Sequence, residues 1–230
     1  ATMKRKLAVF DVDGTIFRSS LTRSLFAALV EEGIFPARAA REVAPSFEEW
    51  LNRKGSYNEY IQKVVEVFLK YIKGVRQGDV RRVSSRVVFA EKHRTYRFTR
   101  DIIRELKKKN YFIVAISGSP YEVVKLYNKV LQFDKAYGWV LEVDRTGKYT
   151  GKMKHTYSVF EKQVLVKHVV EKYGATLKGS IGVGDSESDV SFLNLVDRPI
   201  AFNPSNGLYK VAKRKGWEIV VERKDVIYRF

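Results

Sequence analysis

The segment Leu7-Ala8-Val9-Phe10-Asp11-Val12-Asp13-Gly14-Thr15 decides the fold. The consecutive apolar residues Leu7 to Phe10 read as a buried strand, and Asp11 and Asp13 place two carboxylates at its C-terminal end beside the turn-forming Gly14. In a continuing strand both side chains share a face, whereas a turn at Gly14 gives them separate roles. An Asp-rich turn is also an ordinary polar loop. The weight therefore falls on what the rest of the chain brings to the same place.

Apolar spacing predicts a helix from Leu21 to Val30 and further helical stretches around Phe47 to Leu51 and from Asn58 to Ile72. The region up to about Lys92 is mainly helical. Beyond it, strands alternate with helices. A helix around Thr99 to Lys109 closes on three lysines, which suit the negative end of its dipole, and the strand Phe112 to Ile116 follows. Pro120 suits the first turn of the next helix. A β-hairpin is expected from Tyr137 to Tyr149, turning at Asp144, Thr146 and Gly147. Then come a helix from Val159 to Tyr173 stopped by Gly174, and strands Ser180 to Val183 and Pro199 to Phe202. This alternation predicts an α/β fold with a mostly parallel sheet covered on both faces, whose ligands bind at the carboxyl ends of the strands. Three expected strands end in chemistry, at Asp11, Ser117 and Asp185.

Composition narrows the chemistry. With 230 residues, 45% of them apolar, and only 15 Gly and 5 Pro, the chain buries a substantial core and is not disordered or collagen-like. It has no Cys, which excludes disulfides, thiolate zinc sites and a Cys nucleophile. No segment approaches the roughly 18 apolar residues of a membrane helix. The N-terminus runs into a strand rather than a signal-peptide core, so a cytoplasmic protein with no membrane partner is expected. Lys and Arg number 43 against 26 Asp and Glu, a formal charge of +17. Such a charge suits a nucleic-acid partner or a solvated surface that draws small anionic substrates. The spread of basic residues along the chain favours the second reading.

A second carboxylate cluster, Gly184-Asp185-Ser186-Glu187-Ser188-Asp189, follows another strand, where Asp and Ser also suit the capping of a helix start. Asp11, Asp13 and Asp185 in one place would repel one another without a cation, and an all-oxygen donor set favours Mg²⁺. Ser117-Gly118-Ser119-Pro120 is either a plain strand-to-helix turn or a set of hydroxyls and amides that holds phosphate. Lys162 lies near the start of a helix, where the dipole disfavours a cation. His93, His155 and His168 read as surface or packed residues. Trp50, Tyr57, Tyr60 and Phe68 read as core of the helical region, with substrate contact or base stacking as the alternative.

Taken together, the chain resembles the haloacid dehalogenase-like (HAD) hydrolase superfamily, in its phosphoserine-phosphatase-like branch. Asp11 to Thr15 matches the first of four ordered motifs, Ser117 in Ile-Ser-Gly-Ser the second, Lys162 the third and Gly184 to Asp189 the fourth. The resemblance implies a Rossmann-like three-layer core with a parallel sheet, residues 1–17 and 93–230, and an inserted, mainly helical cap, residues 18–92. It implies that Asp11 is the nucleophile and Asp13 the general acid and base, with its backbone carbonyl a metal ligand. Ser117, Gly118 and Lys162 would hold the phosphate. Asp11 and Asp185 would complete the Mg²⁺ ligands, with Asp189 bound directly or in support. Lys162 is preferred to Lys152 and Lys154 because it precedes the helix leading to the fourth motif. The expected activity is Mg²⁺-dependent hydrolysis of a small phosphorylated substrate through a phosphoaspartate. Phosphotransfer to an alcohol and a nucleic-acid-binding or nucleic-acid end phosphatase role are the alternatives. Ser20 stands nine residues after Asp11, where phosphoserine phosphatases carry a Glu for the substrate amine, and this points away from phosphoserine.

Overall fold

Strand β1 (Lys6–Asp11) lies in the interior of a seven-stranded sheet in a computed structural model that describes residues 4–154 and 161–230. To one side lie β2 (Phe112–Pro120) and β3 (Lys135–Trp139). To the other lie β6 (Thr176–Gly184), β7 (Arg198–Phe202), β8 (Glu218–Arg223) and β9 (Val226–Arg229). Every pairing is parallel except β8 with β9. A separate antiparallel pair joins β4 (Leu141–Val143) to β5 (Tyr149–Met153). Because the chain leaves β1 for β2 on one side and reaches β6 on the other, a crevice opens at the carboxyl end of β1. Leu7 to Phe10 are fully buried, as a central parallel strand covered on both faces requires.

Helices α1 (Leu21–Glu31), α2 (Ala37–Leu51), α3 (Tyr57–Ile72), α4 (Gln77–Glu91) and α5 (Arg97–Lys108) all intervene between β1 and β2. The first three pack through aromatic residues: Phe35 meets Phe26 and Phe68 edge-on, while Trp50 stacks on Tyr60 with ring centroids 5.6 Å apart. Phe68 of α3 abuts Trp139 of β3 at 5.4 Å, fixing the insert against the sheet. Helix α5 belongs to the sheet's own packing. Phe98 stacks on Phe202 of β7, and Glu222 of β8 accepts the N–H groups of Arg97 and Phe98 at 3.0 and 2.7 Å. Helices α6 (Tyr121–Leu131), α7 (Lys162–Tyr173), α8 (Val190–Leu193) and α9 (Asn206–Lys215) complete the core.

Two expectations shift. Tyr137 to Trp139 do not form the first arm of a hairpin, because Lys135 to Tyr137 pair parallel with Val114 to Ile116 as the sheet's edge strand. The hairpin is the shorter β4–β5, turning where Asp144 Oδ1 accepts the Thr146 N–H at 2.7 Å. Helix α2 is much longer than Phe47 to Leu51 and contains Pro45. Helix α7 stops at Gly174, in the left-handed conformation at φ +65°, as expected. Val159, Phe160 and His155 lie outside the described residues. No described helix is long and apolar enough to cross a membrane.

Candidate active site

Adjacent strands β2, β1 and β6 deliver Ser117, Asp11 and Asp185 to one end of the sheet. Gly14 makes this possible. Its φ of +81° turns the chain back after Asp13, and its α-carbon faces the Asp185 carboxylate so closely that a side chain there would collide with it. The amide of Gly14 donates to the carbonyls of Phe17 and Ser19, which closes the turn.

Lys162, the first residue of α7, is buried, and its ammonium donates to Asp11 Oδ1 at 2.8 Å and to Asp189 Oδ1 at 2.5 Å. Thr15 donates to the other Asp11 oxygen at 3.1 Å. Burial lifts the Asp11 carboxyl to about 7 against the pull of Lys162, with Asp189 and Asp13 adding to the rise. Burial works to lower Lys162, but Asp11 and Asp189 outweigh it and hold the ammonium above its ordinary value. Lys162 therefore stays charged. Lys152 and Lys154 are exposed.

Asp13 is held from three directions. Its Oδ2 accepts from the Ser117 hydroxyl at 2.5 Å and its Oδ1 from the backbone N–H of Leu21 at 2.6 Å, while the Ser119 hydroxyl lies 3.1 Å from both oxygens. Burial raises the Asp13 pKa, and the donors from Ser117, Leu21 and Ser119 oppose the rise. Ser117 thus spends its hydroxyl on Asp13 inside the fold, and Gly118 and Ser119 line the cavity in front of it.

Asp189 is fully enclosed. Its Oδ2 accepts the N–H groups of Asp185 and Ser186 at 2.9 and 3.1 Å, so it shapes the loop that presents Asp185. The Asp185 carboxylate accepts no hydrogen bond among the described residues, and burial first, then Asp11 and Asp189, raise its pKa well above the usual range. Carboxylate oxygens of Asp11, Asp185 and Asp189 lie within 4.8 Å of one another. Two of the three are already met by Lys162, which leaves Asp185 short of positive charge.

A family model described as haloacid dehalogenase-like hydrolase matches residues 8–194. The chain belongs to this family. A phosphoserine phosphatase of Archaeoglobus fulgidus is 25% identical over 210 residues, spanning 91% of the chain but 56% of that relative's length. A histidinol-phosphatase of Neisseria meningitidis is 24% identical, covering 94% of the chain and 98% of the relative. A solved structure of a Bordetella pertussis protein of unknown function superposes with a TM-score of 0.74 at 22% identity, covering 94% and 98% of the two chains.

A donor set of hard oxygens around an unpaired carboxylate fits Mg²⁺ in this hydrolase. Asp11, Asp185 and Asp189 could hold such an ion, although both oxygens of Asp189 are already engaged, by Lys162 and by the amides of Asp185 and Ser186. In front of the carboxylates lies a cavity of about 370 Å³, walled on the far side by Tyr57, Asn58, Ile61, Gln62 and Val65 of α3. The sequence had left Tyr57 with the helical core, where Tyr60 and Phe68 indeed lie, yet Tyr57 faces the cavity. Ser119, read with Ser117 as a hydroxyl for phosphate, meets Asp13 and Thr22 instead. Ser20 lines the cavity and caps α1, accepting the N–H of Arg23 at 3.3 Å, a task a Glu performs poorly. Neither His93 nor His168 lines it.

Proposed function

We propose that this hydrolase is an Mg²⁺-dependent phosphatase that cleaves a small phosphate monoester through a phosphoaspartate at Asp11, with residues 18–92 acting as its cap. The observation that carries the reading is Asp11, a buried carboxylate held by Lys162 at 2.8 Å and opening on a cavity of about 370 Å³. Each Asp11 oxygen keeps a lone pair beyond the one it gives to Lys162 or Thr15.

An Asp11 oxygen attacks phosphorus, and the bond from phosphorus to the alcohol oxygen breaks. The departing oxygen takes the proton of the Asp13 carboxyl. Asp13, now ionised, accepts a proton from a water whose oxygen attacks the phosphoaspartate, freeing phosphate and restoring the Asp11 carboxylate. Burial raises the pKa of Asp13, as the first role needs, and the Ser117, Leu21 and Ser119 donors support the anion in the second. Lys162 and the amide of Gly118 supply positive potential to the phosphoryl oxygens. Bound Mg²⁺ would neutralise charge between the nucleophile and the phosphoryl group.

The phosphatase names among the relatives support this reading. A phosphate-release screen over sugar, amino-acid, nucleotide and nucleic-acid-end phosphates, with and without Mg²⁺, tests it. Release that requires Mg²⁺ and vanishes in folded Asp11→Asn is expected, and wild-type activity in Asp11→Asn would overturn the mechanism.

A further inference from the structure

All the formal charge lining the cavity comes from the sheet side, from Asp11, Asp13, Asp185 and Lys162. The opposite wall is one face of α3, presenting Tyr57, Asn58, Ile61, Gln62 and Val65, and none of these carries a charge. Tyr57 stays a neutral phenol, because burial above all, with Asp13 and Asp185 adding, pushes its hydroxyl above the ordinary value.

The ionisable groups nearest this wall are committed elsewhere. Glu187 does not line the cavity, and its Oε2 accepts from Asn58 at 3.3 Å and from Ser205 at 2.8 Å. The Arg23 guanidinium lies over the rings of Phe47, Trp50 and Tyr60 at 5.6, 5.9 and 5.8 Å, and it borders a different crevice between α1 and α4. Lys162 is divided between Asp11 and Asp189.

Building on the phosphatase reading, we infer that the alcohol half of the substrate is short, polar and uncharged. With the phosphoryl group against Asp11, the alcohol lies along α3. An ammonium or carboxylate there gives up hydration and meets no opposite charge on that wall. Hydroxyl groups instead meet the amides of Asn58 and Gln62, and carbon faces pack on Tyr57, Ile61 and Val65. A cavity of about 370 Å³ suits a small ester. The class is phosphate monoesters of short polyols and other neutral alcohols.

Three esters of matched size test this: 2-hydroxyethyl phosphate, phosphoethanolamine and phosphoglycolate. With Mg²⁺ present, kcat/KM for the hydroxyethyl ester is expected to exceed the other two by about tenfold or more, the equivalent of about 1.4 kcal/mol. Gln62→Glu, which adds one carboxylate to the wall, is expected to raise phosphoethanolamine relative to the hydroxyethyl ester by a similar factor. The corresponding phosphonates, 2-hydroxyethyl, 2-aminoethyl and carboxymethyl, report binding by calorimetry without turnover, and the same order is expected. Equal or better turnover and binding of the charged members overturns the inference and leaves the phosphatase reading standing. No release from any ester, with the phosphonate order intact, overturns the phosphatase reading and supports the neutral wall.

Discussion

Asp189 Oδ2 accepts the backbone N–H of Asp185 at 2.9 Å, so one carboxylate of the fourth motif sets the position of the other. Its Oδ1 meanwhile holds Lys162. Asp189→Asn keeps the shape and loses the charge on both counts. Mg²⁺ affinity, followed by calorimetry, is expected to fall by about 10- to 100-fold, the usual effect of removing a group that orients a ligand. Unchanged affinity would show that Asp185 holds its place unaided.

Lys162 answers two enclosed carboxylates, and Lys162→Met leaves them facing each other without a cation. At pH 8 in chelator, urea unfolding is expected to show a loss of about 3–5 kcal/mol, as when one partner of a buried ion pair is removed. Phosphatase activity should fall with it. Lys152→Met and Lys154→Met, on exposed side chains, are expected to change stability little.

Gly14→Ala meets two obstacles. The backbone at φ +81° costs an L side chain about 1–2 kcal/mol, and the new methyl meets the Asp185 carboxylate. Thermal unfolding should register the first and a weakened Mg²⁺ isotherm the second. A variant of wild-type affinity would mean that Asp185 has room to retreat.

The pH response follows from the sign of the Asp11 shift. Its folded-state pKa, raised to about 7, lies above the unfolded value near 3.9, so the folded metal-free protein retains a proton that the unfolded chain releases. That contribution to stability is complete below about pH 4 and is lost as pH rises through 7. Asp13 and Asp185 shift in the same direction. In chelator, the Tm is therefore expected to fall between pH 5 and 7.5. Mg²⁺ competes with the same protons, so its affinity should increase over that range. A flat Mg²⁺ affinity from pH 6 to 8 would contradict the raised Asp11 pKa.

Much of this centre was legible because it is local in sequence. An apolar strand ending in Asp, a glycine turn, and a second acidic loop after a second strand each declare themselves within about six residues. Lys162 was selected by the family's motif order, a cation at a helix start being only an oddity when read alone. What was missed depends on distant partners. Ser119 matters through Thr22 and Asp13, 97 and 106 residues away. Tyr57 shares the spacing of the residues that pack α3, so periodicity alone places it in the core although it borders the cavity. Tyr137 and its neighbours looked ready to turn back, but pairing with β2 offered them a place in the large sheet. In α2, Pro45 obscured a helix whose length is set by packing against α1 and α3.

Helix α1 begins with its first two amides on the candidate site: Leu21 N–H reaches Asp13 at 2.6 Å and Thr22 N–H reaches Ser119 at 3.0 Å. Anyone recombining this insert with another core inherits that wiring. A graft that cuts at residue 18 would carry off the donors to Asp13 and Ser119 and leave the recipient to replace them. A splice placed after Thr22 keeps them with the strand end they serve, so the seam useful to protein engineering lies inside the first turn of the helix.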